Sequence, residues 1–125
     1  MSELKPELSR AKRYPKGWGE EVWIVNNEKY CGKLLKFNEG AEFSMHYHIK
    51  KEETWCVLEG HLVLKYYNLT TAEEEEMNLI VGDVVHIKPC VPHKLIAVQK
   101  SSIMEVSTQH FEEDSYRIQK GDSQK

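Results

Sequence analysis

The sequence predicts an all-β fold, a sandwich or a barrel, from three observations. Its apolar segments are short and recur at regular spacing along the chain. They are rich in Val, Ile, Tyr and Trp, side chains that fit a pleated, half-buried surface. Between them stand Gly, Pro and Asn, which turn the chain and break regular structure. At 125 residues there is room for one core and little more, so residues 1–125 read as one domain.

Taken in order, residues 1–13 read as a flexible tail. Leu4 and Leu8 are spaced to make one helical turn against a partner surface. Residues 14–19 contain Pro15, Gly17 and Gly19 and read as an irregular loop pinned by Tyr14 and Trp18. Strands are expected over 21–25 and 30–37, with a hairpin turn at Asn26, Asn27 and Glu28. A turn through Asn38, Glu39 and Gly40 leads to a strand over 42–48. Residues 54–58 read as a buried strand, Glu59-Gly60 as a tight turn, and 61–68 as the returning strand. In that strand Leu62, Leu64 and Tyr66 share one face. Residues 70–76 include four consecutive glutamates and read as a solvated loop or hairpin tip. Strands over 84–87, 94–98 and 102–108 follow. From Glu112 the chain turns polar, and 117–125 reads as a second flexible tail.

Composition excludes several function classes. Seventeen Lys and Arg against 20 Asp and Glu give a formal charge of −3, no basis for binding nucleic acid or an anionic membrane surface. No apolar run approaches the ~20 residues of a membrane-spanning helix. The first 13 residues lack the apolar stretch of a secretory signal. Cys31, Cys56 and Cys90 make an odd count without framework spacing, which reads as reduced thiols in a cytoplasmic protein. Cys56, within an apolar strand, reads as a small core residue.

The chemistry concentrates between Gly40 and Gly60. His46 and His48 are two apart, so in a strand both imidazoles face the same side. A turn through Ile49–Lys51 lets the next strand present Glu53 to the same point. Two neutral nitrogens and a carboxylate oxygen suit a first-row divalent metal. Two surface histidines on a polar face would show the same spacing. Glu52 is the nearest competitor of Glu53, and alternation allows only one of them to reach the ligand point. A second stretch, Gly82 to His93, holds a Gly-Asp turn, a β-branched strand, a corner at Pro89 and a further histidine.

These two stretches resemble the paired motifs of the cupin superfamily. Gly40, five residues, His46-x-His48, four residues, Glu53, six residues and Gly60 match the first motif without a gap. The second is matched at Gly82 and His93 but carries Lys88, Cys90 and Ala97 where the motif has proline, glycine and asparagine. The resemblance implies a double-stranded β-helix, the jelly-roll barrel. It also implies a metal held by His46, His48, Glu53 and His93, with one or two positions left open. Zn, Mn, Fe and Ni all suit that ligand set.

Trp18-Gly19, the phrase from Glu53 to Gly60, and the segment from Ile103 to Arg117 look like the type II phosphomannose isomerase branch. That branch has glutamine at His46 and arginine at Lys51 and Lys94; lysine keeps the charge but loses the bidentate fork. The resemblance implies a metal-dependent aldose–ketose isomerase acting on a sugar phosphate, with His93 in a catalytic role. Glu52, His86 and a lysine are the candidates for the base. Lys51 and Lys94, which flank ligand positions, are candidates to meet an anionic substrate, as is Tyr66. Phe43, Tyr47, Trp55 and Leu95 are further candidates for the cavity wall or plain core. A non-catalytic cupin binding a sugar or acid, and an iron-dependent dioxygenase, are the alternatives. The open edges of a jelly roll further imply a homodimer, with residues 14–25 at or near the interface.

Overall fold

The computed structural model describes residues 3–125; Met1 and Ser2, part of the predicted N-terminal tail, lie outside the described residues. Antiparallel pairing joins β1 (Lys12–Lys16), β2 (Gly19–Asn26), β3 (Cys31–Phe37), β4 (Met45–Tyr47), β5 (Glu53–Glu59), β6 (His61–Asn68), β7 (Glu73–Ile80), β8 (Val84–Ile87), β9 (His93–Ala97), β10 (Ser101–Ser107) and β11 (Tyr116–Gln119). They form two sheets, ordered β1-β2-β3-β10-β5-β8 and β11-β4-β9-β6-β7. No α-helix occurs among the described residues, only the 3-10 turns Glu112–Asp114 and Asp122–Gln124. This is the two-sheet sandwich that the strand pattern predicts, with the jelly-roll form that the resemblance implies.

Alternation along the central strands builds the core. Leu35, Phe37, Trp55, Val57 and Ile103 point inward from one sheet, and Leu62, Leu64, Leu79, Leu95 and Ala97 from the other. Trp18 stacks on Phe37 at 4.6 Å between ring centroids. Each buried aliphatic side chain of this kind contributes roughly 1.5–3 kcal/mol relative to exposure. Gly60 makes the β5–β6 turn with a φ of +90°, where a Cβ would lie 2.4 Å from the Lys100 carbonyl oxygen.

Several local expectations change. Tyr14, Pro15 and Lys16 lie in β1 rather than in an irregular loop. β1 is a sheet edge, where a proline without an N–H costs no ladder bond. The glutamates at 73–76 belong to β7, also an edge, where carboxylates deter pairing with a second chain. The strand expected over 42–48 is regular only at Met45–Tyr47, with Glu42 making an isolated bridge to Ile96. Cys56 points to the outer sheet face, in register with Met104 and Val84. The second tail is not a tail: Tyr116–Gln119 pairs with β4. Of the first, residues 3–11 carry no regular structure, and Leu4 and Leu8 are exposed rather than helical.

Toward one end of the sandwich the inward residues of the first sheet change from apolar to charged. Trp23, Lys33, Glu105 and Trp55 sit in register across β2, β3, β10 and β5. Cys31, Ser107 and Glu53 form the next row outward. Buried charge is costly unless paired, and this end is where the site lies.

Candidate metal centre

The charged end encloses a cavity of about 230 Å³. His46 lies in β4 and His48 just beyond it, on the same strand face. His93 opens β9 directly opposite His46. The ring centroids are 4.6 Å apart for His46 and His93, 5.0 Å for His46 and His48, and 5.6 Å for His48 and His93. One nitrogen from each lies within 4.8 Å of the others, near enough for all three to reach one first-row ion. Glu53 enters from the opposite sheet, its Oε2 3.4 Å from His48 Nε2 and 3.9 Å from His93 Nε2.

Local structure fixes which nitrogen each imidazole offers. His46 Nδ1–H donates to the Ser44 carbonyl at 2.6 Å, His48 Nδ1–H to the Asp114 carbonyl at 2.8 Å, and His93 Nδ1–H to the Val91 carbonyl at 2.9 Å. Each Nε2 is thereby left as a lone pair. Burial, with the neighbouring His93 and His48, holds His46 well below the ordinary histidine range. Burial likewise pushes His93 down to about 3. Both rings are neutral at physiological pH, the form a metal needs.

Glu53 Oε1 accepts the Trp55 indole N–H at 2.6 Å, whereas Oε2 has no partner. His93 Nε2 has none either, and these are the two orphaned buried side-chain atoms among the described residues. Leaving a buried polar atom unpaired costs about 1–3 kcal/mol. Two acceptors facing each other cannot satisfy one another, whereas a shared cation satisfies both. The donor set therefore fits a divalent metal.

The remaining wall is charged. Lys51 is buried and pairs with Glu105 at 2.6 Å. Burial alone would lower its pKa, but Glu105 and Glu53 outweigh burial and raise it above the usual lysine range. Lys33 lies 4.1 Å over the Trp23 ring and 3.4 Å from Glu21. His110 Nδ1 accepts from Lys51 at 3.3 Å. Desolvation, then Lys33 and Lys51, hold the His110 ring well below the ordinary histidine range. Lys16 and Arg117 also line the cavity.

The structure brings His46, His48, Glu53, His93 and Lys51 together, with Phe43 on the wall and Trp55 and Leu95 packed in the core. It separates the others. Glu52 and His86 hydrogen-bond each other on the outer sheet face, each about half exposed, because alternation turns them away from Glu53 and Val85. Lys94 follows His93 and so points outward, pairing with Glu42 at 3.1 Å. Tyr66 pairs in register with His93 but packs against the core and does not line the cavity. Tyr47 faces away and stacks on Tyr116.

Sequence reasoning passed over Lys33, Glu105, Glu21 and His110. Strand parity carried a signal for three: Lys33 alternates with Leu35 and Phe37, Glu105 with Ile103, and Glu21 with Trp23. For His110, in a loop, no periodic signal exists.

Comparison with known proteins agrees with this fold. A mannose-1-phosphate guanylyltransferase of Salmonella muenchen is 26% identical over 107 residues, which cover 82% of this chain and 21% of that protein. The chain thus spans about a fifth of the length of that curated relative. Oxalate decarboxylase of Bacillus subtilis, in a structure concerned with its Mn(II) centres, superposes with a TM-score of 0.76 at 14% identity, covering 86% of this chain and 30% of that one. KdgF from Halomonas sp. superposes with a TM-score of 0.65 at 16% identity, covering 75% of this chain and 81% of that one. At such identities the superpositions speak for the fold alone. The Cupin domain family matches residues 33–108, more than half of the chain and the part that holds all four converging ligand candidates, so this chain belongs to the cupin family.

Proposed function

We propose that this cupin is a divalent-metal enzyme interconverting an aldose phosphate and its ketose, an isomerisation of the mannose 6-phosphate type. The charge of the cavity wall carries the reading. Lys16, Lys33, Lys51 and Arg117 stand against Glu21, Glu53, Glu105 and Glu112, so the wall balances. A divalent ion held by His46, His48, Glu53 and His93 would tip the cavity to about +2. A phosphate monoester carries about −1.5 to −2 near neutral pH and would restore the balance. The cavity, at about 230 Å³, is smaller than the ~300–1,000 Å³ of sites for larger ligands and suits a sugar. The likeness to a mannose-1-phosphate guanylyltransferase supports the substrate class, and the Mn(II) of oxalate decarboxylase supports a divalent ion.

Such an ion would polarise the substrate carbonyl. Lys16 and Arg117, the exposed cations of the wall, bind the phosphate, supplying binding energy remote from the reacting carbons. Glu21 moves the proton between C1 and C2. It is the half-buried wall carboxylate left for that role: Glu53 belongs to the ligand set, and Glu105 is held by Lys51 at 2.6 Å, closer than Lys33 stands to Glu21, at 3.4 Å. A cytoplasmic homodimer, with residues 14–25 at or near the interface, belongs to the same proposal.

Incubating metal-replete protein with aldose phosphates in deuterated water tests it by NMR. The expected result is exchange at C2 with ketose formation, and a poor reaction with the unphosphorylated sugar. Glu21→Gln should slow exchange by about 10²–10⁴-fold with metal retained, while Arg117→Gln should mainly raise KM. No exchange with any common sugar phosphate at full metal occupancy would favour the second reading, a cupin that binds a sugar or acid without turning it over. One observation speaks for that reading: Glu21 is engaged by Trp23 and Lys33, and Glu105 by Lys51.

A further inference from the structure

The segment from Phe111 to Lys125 lies outside the cupin match, yet it reaches the centre of the site. Asp114, 3% exposed, makes two separate kinds of contact there. Its carboxylate accepts the backbone N–H groups of Ile49 at 2.9 Å, Lys50 at 3.1 Å and Lys51 at 3.0 Å. That turn links His48 to Glu53. Its backbone carbonyl accepts the His48 Nδ1–H at 2.8 Å, with Ser115 Oγ 3.5 Å from the same nitrogen. One residue thus holds one imidazole and the turn that delivers the carboxylate.

The rest of the segment is fastened along the cavity mouth. Arg117 pairs with His46 across β11 and β4. Gly121 lies so close to the Phe43–Ser44 backbone that a Cβ would be 2.3 Å away. Asp122 Oδ2 accepts the Glu42 N–H at 2.9 Å, and the Asp122 N–H donates to the Glu42 carbonyl at 3.0 Å. Ser123 Oγ accepts the Gly17 N–H at 3.1 Å. Ser115, Arg117, Ser123 and Gln124 line the cavity.

We propose that residues 111–125 form a strap that completes the metal centre, with Asp114 as the positioning residue that couples strap docking to metal affinity. The inference rests on the metal-binding part of the proposed function and not on the isomerisation. The Asp114 contacts converge on His48 and the 49–51 turn, beside two of the four ligand candidates, rather than on the apolar core. With the strap undocked, His48 loses the acceptor that fixes its tautomer, and the 49–51 turn loses the carboxylate that shapes it. Both donors on that side then lose their aim. Coupling is reciprocal, so metal must favour the docked strap as much as the docked strap favours metal.

Two measurements test this. In the first, Co²⁺ is titrated into the metal-free protein and into Asp114→Asn against a chelator, with the visible Co²⁺ absorption recorded. The expected outcome is roughly 10–100-fold weaker binding and a shifted absorption band, because the ligand geometry changes rather than only the stability. The second needs no variant: amide hydrogen exchange of the wild-type protein with and without Co²⁺. Metal should slow exchange at 49–51 and 111–124 while leaving the distant edge strand β7 unchanged. Unaltered affinity and band in Asp114→Asn, or no metal effect on strap exchange, overturns the coupling while the metal centre stands. A wild-type protein that binds no Co²⁺ overturns both.

Discussion

At the scale of single residues, the site differs from an ordinary core in leaving two facing buried acceptors, Glu53 Oε2 and His93 Nε2, without partners. Metal-free Glu53→Gln, whose amide can donate toward an imidazole, should therefore be at least as stable as wild type, while metal affinity falls about 10–100-fold. Denaturant titration and chelator competition check the two halves. Lys51→Ala should behave oppositely: it strands Glu105, 3% exposed, and costs about 3–5 kcal/mol of stability. Lys94→Ala, outside the cavity, should leave KM unchanged. Protonation follows the same logic. His93 titrates near 3 in the fold and near 6.5 when unfolded, so between these values the unfolded chain binds more protons. Stability of the metal-free protein should be fully present above about pH 6.5 and fall as pH drops toward 3, with half-buried His46 adding in the same direction. A flat urea midpoint across pH 6.5 to 4 would contradict this assignment.

Among the elements, the corner before β9 shows how geometry outlasts a sequence departure. Cys90 stands where the second cupin motif has glycine, and it adopts a φ of +72°. Its N–H donates to the His48 carbonyl at 2.6 Å, tying the corner that delivers His93 to the strand end that delivers His48. Cys90→Gly should relieve the left-handed strain and stabilise by about 1 kcal/mol, read as a raised Tm with metal binding intact. The strand pattern made β2 to β6 and β8 to β10 legible, and with β4 and β5 the positions of His46, His48 and Glu53. Three of the four edge strands, β1, β7 and β11, were not legible. β7 and β11 lack an inward apolar stripe, so Glu73–Glu76 and Tyr116–Gln119 look like solvated loop and tail in sequence. Asp114 was hidden for the same reason, as the last acid of a polar run whose partners lie more than 60 residues away. The outward placement of Glu52, His86 and Lys94 follows from parity with Glu53, Val85 and His93, and parity was legible.

For the whole molecule, the two sheets divide the work. One end is filled by the aliphatic core, and the other keeps charged side chains facing a cavity whose wall Trp18 joins. The outer face of the six-stranded sheet carries Ile24, Leu58, Val84 and Val106 exposed. Light scattering at tens of micromolar should give a homodimer; a monomer would remove that part of the proposal. No helix among the described residues is long and apolar enough to cross a membrane. Elemental analysis of protein purified without a metal-affinity tag asks whether His46, His48, Glu53 and His93 hold a divalent metal. About one equivalent of a first-row ion per chain is expected, falling well below stoichiometric in folded His48→Ala. A wild-type protein that stays metal-free after challenge with Zn²⁺, Mn²⁺, Fe²⁺ and Ni²⁺, or a His48→Ala variant at full occupancy, would contradict it.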